Sequence, residues 1–169
     1  KDTLYCDDTS SKARRACRTV MDAVFNCLTA WLAPILCFTA EEAWQSRHSD
    51  IENSVHLRSY DPIPPEWHDN DVAEKWTQIR RVRQVVMSAL ECARNDGRIG
   101  ASLQAALTVY VSEDMLWAFA GQDAASLFIT SSAILTTDTA PADAFWLEAI
   151  NGIAVGFSLA EGEKCARCW

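Results

Sequence analysis

One stretch, residues 71–97, constrains the fold more tightly than any other. Val72, Trp76, Ile79, Val82, Val86, Leu90 and Ala93 recur at three- and four-residue intervals, the spacing that lines one face of an α-helix. Asp71 is a suitable N-cap, and Asn95-Asp96-Gly97 is a stop signal. A long amphipathic helix is therefore predicted here.

A second periodic segment covers residues 10–31, where Ala13, Cys17, Val20, Val24, Cys27 or Leu28, and Trp31 share a face, with Thr9, Ser10 and Ser11 offering N-cap oxygens. Pro34 suits the first turn of another helix running through Phe38, Ala40, Ala43 and Trp44. Trp31, Trp44 and Trp76 read as core at helical spacing. The periodicity is absent from residues 45–71, where prolines and polar residues predict an irregular connector. That connector holds all three histidines, His48, His56 and His68, which are expected to be solvated. Beyond Gly100, residues 103–111 suit a strand and 113–128 return to helical spacing. Residues 133–137 and 153–159 are further strand candidates, separated by the acidic loop 138–143. A small mixed subdomain is expected there, in a chain that is otherwise mainly α.

The chain has 169 residues, 49% of them hydrophobic, enough for one ordinary domain or two small ones. Its longest apolar run, 20–37, contains Asp22, Asn26 and Pro34 and is closed by Glu41 and Glu42, which leaves no uninterrupted membrane span. No signal-peptide pattern opens the chain. Seven cysteines are an odd number for a disulfide framework, and Cys17, Cys27, Cys37 and Cys92 fall inside helical patterns. Buried free thiols in a reducing cytosol are expected.

The net charge is −8, yet no Lys or Arg occurs in residues 99–163. Lys12, Arg14, Arg15 and Arg18 form an early basic cluster; Lys75, Arg80, Arg81, Arg83, Arg94 and Arg98 form a later one. Such asymmetry can place a positive stripe on an acidic protein, as phosphate binding requires. The alternative is a solvated helix face neutralised by Asp22, Glu74 and Glu91.

The histidines stand at no recognisable spacing from a nucleophile, and no glycine-rich phosphate loop is present. Cys165-Ala166-Arg167-Cys168 can bite one Zn²⁺ through two thiolates, whereas a closed structural site takes four ligands. The other reading, a redox dithiol, needs a thioredoxin-like context that this sequence does not supply.

Four separated motifs, in order, resemble one family. Trp31-Leu32-Ala33-Pro34-Ile35-Leu36-Cys37-Phe38-Thr39-Ala40-Glu41-Glu42-Ala43-Trp44 resembles the signature in the anticodon-binding bundle of isoleucyl and related synthetases. Lys1-Asp2-Thr3-Leu4-Tyr5-Cys6 resembles a helix end in that family. Ile99-Gly100-Ala101-Ser102-Leu103-Gln104-Ala105 resembles an Ile-Gly-x-Ser-Leu-Glu-Ala segment, with Gln104 where the family usually has Glu. Gly162-Glu163-Lys164-Cys165-Ala166-Arg167-Cys168-Trp169 is similar to the first knuckle of the terminal zinc module of bacterial isoleucyl-tRNA synthetases. That knuckle speaks against a valyl or leucyl relative.

The resemblance implies a class I synthetase anticodon-binding helical bundle followed by a small α/β subdomain. Residues 1–97 would form the bundle portion, 98–160 the subdomain, and 161–169 the first half of a zinc module. The implied role is anticodon-side binding of isoleucine tRNA by a cytoplasmic monomer whose upstream catalytic and editing domains complete the enzyme. ATP and Mg²⁺ are used by that catalytic domain. The H-I-G-H and K-M-S-K-S type sequences that hold ATP are missing, so this piece should not aminoacylate alone. Cys165 and Cys168 would be half of a zinc site, too little to hold the metal tightly, and Trp169 would cover the knuckle or the tRNA. Arg80, Arg83 and Arg94 are the first candidates for RNA contact, and Arg14, Arg15 and Arg18 the second. A helical scaffold without RNA affinity of its own is the alternative function.

Overall fold

Ser11 opens the first long helix: its Oγ accepts from the backbone N–H of Arg14 at 3.4 Å, and α2 runs Lys12–Leu32 behind a short α1, Asp2–Tyr5. The structure, a computed structural model, describes residues 2–48, 50 and 52–163. It divides into two compact units, with the boundary between Trp67 and His68, whereas the sequence places a boundary at Gly97. Roughly half of the chain is helical, and the rest includes one small mixed sheet.

In the first unit, α3 (Cys37–Gln45) packs on the end of α2. Pro34 lies in the turn between the two helices rather than inside the first turn of α3. Ala33, Ala40, Trp44 and Val55 form the core, with Phe25 against them. The Trp44 indole donates its N–H to the carbonyl of Asn53 at 2.7 Å, which pins the connector to α3. A nine-residue α3 cannot cover a 21-residue α2. The predicted stripe of α2 is accordingly left bare: Val20, Val24, Leu28 and Trp31 are exposed, and the buried residues are Thr29 and Ala30. Of Trp31 and Trp44, both expected in the core, Trp44 is buried and Trp31 is exposed. Cys37 is exposed and Cys17 and Cys27 are half-buried, so none of these thiols is fully enclosed.

In the second unit, α4 spans Asn70–Asn95, and its N-cap is Asp69, two residues ahead of the predicted Asp71, with its carboxylate accepting from Val72 N–H at 2.9 Å. Ile79, Val82, Val85, Val86, Ala89, Leu90 and Ala93 are buried against a four-stranded sheet. Val72 and Trp76 are exposed instead of core. A helix of 26 residues is about 39 Å long at 1.5 Å per residue, and a seven-residue strand about 23 Å, so α4 is longer than β1. Cys92, on the outer side of this helix, is exposed.

The sheet has the order β2-β1-β4-β3. β1 (Ala105–Val111) pairs parallel with β2 (Ser132–Thr136) and antiparallel with β4 (Ile150–Leu159), which pairs antiparallel with β3 (Phe145–Leu147). A parallel pair needs a crossover. Here it contains α5 (Glu113–Leu116), a 3₁₀ turn (Trp117–Phe119) and α6 (Ala124–Phe128). The single helical repeat read over 113–128 is broken at Gly121, whose φ of 72° no continuing helix adopts. In β1, Ala105, Leu107, Val109 and Val111 are buried toward the core, and Ala106, Thr108 and Tyr110 line the opposite face. No helix among the described residues is long and apolar enough to cross a membrane.

Candidate nucleic-acid interface

The cationic residues of α4 fall into two groups according to what their side chains already touch. Arg80 and Arg81 are exposed and held only by neighbours on their own helix: Arg80 Nη2 donates to Thr77 Oγ1 at 3.4 Å and Arg81 Nη1 to Gln78 Oε1 at 3.1 Å. Among the described residues neither is paired with a carboxylate. Trp76, 41% exposed, stands one turn before Arg80 on the same helix face. An aromatic ring and a guanidinium are thus presented to solvent side by side.

The other α4 cations are engaged. Arg83 Nε donates at 3.1 Å to the carbonyl of Leu127, one of the acceptors left open at the end of α6. Lys75 Nζ donates to the Ala120 carbonyl at 3.1 Å. Arg94 pairs with Glu91, and its Nη2 reaches Ser102 Oγ at 3.3 Å.

On α2, Arg14 Nη1 donates to the Asp7 carbonyl at 2.9 Å and so ties the helix start to the preceding turn. Arg15 and Arg18 are exposed and make no ion pair among the described residues. They occupy the first two turns together with Lys12, and the first turn contains no acidic residue. The helix dipole adds positive potential at this end. Among the described residues Arg15, Arg18 and Arg80 form no ion pair, while Asp22 pairs with Arg47 and Glu91 with Arg94.

A cleft of about 360 Å³ in the first unit went unread in the sequence. Ala30, Ala33, Pro34, His56, Arg58, Ser59 and Tyr60 line it. Arg58 is fixed there: its guanidinium lies 4.3 Å from the Trp44 ring centroid, Nη1 donates to the Asn26 carbonyl at 3.2 Å, and Asp61 pairs with it. His56 Nε2 sits 3.2 Å from the Cys37 carbonyl. His48 stacks on Trp44 with centroids 3.9 Å apart, and its Nε2 is buried with no hydrogen-bond partner among the described residues. The expectation of solvated histidines is therefore corrected for His48, whereas His56 and His68 are exposed. The cause is Val55, which is buried and draws the connector onto α3. Periodicity could not signal this, because the connector has none.

Glu41 locks the same connector. It accepts from Gln45 Nε2 at 3.0 Å, Ser54 Oγ at 3.0 Å and Val55 N–H at 2.8 Å. The Gln45 hydrogen bond leads in holding its carboxyl below the usual glutamate range, helped by Val55, Ser54 and the charge of His56 against an opposing effect of burial.

Cys165, Cys168 and Trp169 lie outside the described residues. Among the described residues, no group of three or more His, Cys, Asp and Glu is placed to hold a metal ion. Two thiols alone are half of the donor set of a closed zinc site.

A family model for the anticodon-binding domain of tRNA ligase matches residues 1–111, and the chain belongs to that family. It is similar, along its whole length, to isoleucine–tRNA ligases of bacteria: 50% identical to that of Agrobacterium fabrum, 46% to that of Bartonella henselae and 45% to that of Rhodopseudomonas palustris. The alignments cover 100% of this chain but only 18%, 17% and 17% of the respective relatives. The chain thus spans less than a fifth of the length of the curated relatives it matches.

Proposed function

We propose that this chain is the anticodon-side tRNA-binding region of a class I isoleucine–tRNA ligase, working within a full-length, cytoplasmic, monomeric enzyme. Agreement with isoleucine–tRNA ligases across all of its residues is the observation that carries this reading. The catalytic domain, which uses ATP and Mg²⁺, and the editing domain belong to other parts of the same polypeptide.

The side-chain arrangement supports a division of labour. Trp76 and Arg80 present a ring and a guanidinium plane on which unstacked anticodon bases can stack, each such contact stabilising by about 1–3 kcal/mol. Arg15, Arg18 and Arg81 can meet phosphates without first breaking an ion pair. Arg14, Arg83 and Arg94 bear on the RNA through position, by fixing the start of α2, the end of α6 and the start of the sheet. Zn²⁺ on Cys165 and Cys168, with two further ligands, would order the terminal segment, and Trp169 would cover that knuckle or the RNA.

A scaffold role without independent RNA affinity is the second reading. It is favoured by the bare apolar surface of α2, the following turn and the start of α3, where Val20 is 61%, Ile35 76% and Phe38 91% exposed, a surface that suits packing. Binding of the chain to isoleucine tRNA and to a non-cognate tRNA, followed by anisotropy across a salt series, separates the two. Tighter and salt-sensitive cognate binding supports the first reading; no binding by a folded chain supports the second.

A further inference from the structure

Ile129 holds a backbone conformation that its side chain resists. It follows α6 with φ 59° and ψ 48°, the left-handed geometry that a helix end ordinarily gives to glycine or asparagine. A β-branched residue is strained there. Among the described residues, every other positive φ belongs to a glycine. The neighbours impose the geometry: Phe128 and Thr130 are buried on either side. Thr130 N–H donates to the Ala125 carbonyl at 3.0 Å and its Oγ1 to the Ser132 carbonyl at 3.2 Å. The chain is thus held on both sides of residue 129 and cannot relax the strain. The Ile129 side chain itself is 50% exposed.

This end of α6 adjoins the candidate RNA face. Trp76, Arg80 and Arg83 follow one another at four- and three-residue intervals, so they share one stripe of α4, and all three are exposed. Arg83 joins that stripe to α6 through its bond to the Leu127 carbonyl, two residues before Ile129. The acidic charge of the unit does not reach the chain on either side, because residues 124–137 contain no Asp or Glu. The Arg83 guanidinium also offsets the partial negative charge at the end of α6. An aliphatic side chain held out at the end of a cationic stripe offers nothing to a phosphate. It suits the flat face of an unstacked base, against which apolar side chains pack.

We infer that Ile129 packs against an unstacked base of the bound RNA, and that its strained backbone serves to present that side chain. The inference rests on the RNA-binding reading and extends that face from α4 to the end of α6.

The test combines thermal melts with anisotropy binding of isoleucine tRNA across a salt series, for Ile129→Gly, Ile129→Asn and Ile129→Val, with Arg80→Ala as the reference. Glycine and asparagine tolerate the left-handed conformation, so both variants should melt at or above the parent. Both should bind tRNA about fivefold more weakly, the scale of burying the exposed half of an aliphatic side chain. The salt slope should stay that of the parent, because no phosphate contact is lost. Ile129→Val keeps a β-branched apolar group and should retain most of the affinity. Parent-like binding by the glycine and asparagine variants would overturn the inference, as would a valine variant as weak as they are. Melts below the parent for both would make Ile129 a packing residue and overturn it equally. A salt slope lowered as by Arg80→Ala would assign the loss to a displaced cation and overturn it too. If the folded parent binds no tRNA, the RNA-binding reading fails and this inference with it; if the parent binds and Arg80→Ala lowers the slope while the Ile129 variants bind normally, this inference fails alone.

Discussion

The guanidinium of Arg58 lies 4.3 Å from the centroid of the Trp44 ring and reaches the Asn26 carbonyl at 3.2 Å, joining the connector to both α3 and α2. Its side chain is 17% exposed, so the stacking is partly desolvated. Arg58→Ala should destabilise the first unit by about 1–2 kcal/mol, combining a cation–π contact with a charged hydrogen bond. Arg58→Lys should recover less than half, because an ammonium lacks the planar fork. Urea unfolding of the three proteins measures both; full recovery by lysine would show that charge alone matters.

Glu41 makes the stability of the same connector pH-dependent. Hydrogen bonds led by that from Gln45 depress its folded-state pKa below the ordinary glutamate value. The ionised carboxylate therefore contributes in full above the unfolded-state pKa, and that contribution is lost as pH falls through the folded-state value. Glu41→Gln should narrow the gap in melting temperature to the parent as pH drops from 7 to about 3. A gap that stays constant over this range would mean that the Glu41 charge does no work.

The helices were legible where apolar spacing and a partner layer coincide. The stretch from Ile79 to Ala93 is legible because a sheet lies against it; Val72 and Trp76 keep the same spacing but remain exposed. Periodicity reports which residues share a face, not how far the opposing layer extends. For the same reason Val20, Val24, Leu28 and Trp31 looked like core and are exposed. β3, three residues ending at Leu147, is too short to carry an alternation and was missed. At the candidate interface the sequence identified the cations, but it could not separate Arg80, held only by Thr77, from Arg83, bonded across the unit to Leu127. That difference depends on a contact 44 residues away in sequence.

Gln104, set apart in the sequence only by its departure from a familiar motif, closes the loop before β1. Its Oε1 accepts from Gly100 N–H at 2.6 Å and Ala101 N–H at 3.0 Å. Gln104→Ala leaves both donors to water and should cost about 1 kcal/mol. Gln104→Glu keeps the acceptor and makes the bonds charge-assisted, so near neutral pH it should match or exceed the parent. Thermal melts of the two variants check this; an alanine variant as stable as the parent would leave the loop held by its backbone alone.

Arg80 and Arg83 should differ when the chain meets RNA. Arg80→Ala removes a cation that has no carboxylate partner among the described residues and no contact off its own helix, so the fold should be unaffected. If Arg80 meets one phosphate, the slope of log affinity against log salt should fall by about 0.7–0.9. Arg83→Ala uncovers the Leu127 carbonyl and should lower stability by about 1 kcal/mol, the scale of a charged hydrogen bond near the surface. Its effect on tRNA affinity should then follow the displacement of α6 and leave the salt slope nearly unchanged. Parallel salt titrations and melts of the two single variants read both quantities. A slope that falls with Arg83→Ala and not with Arg80→Ala would reverse the assignment, making the cation bonded to α6 the one that reaches the phosphate.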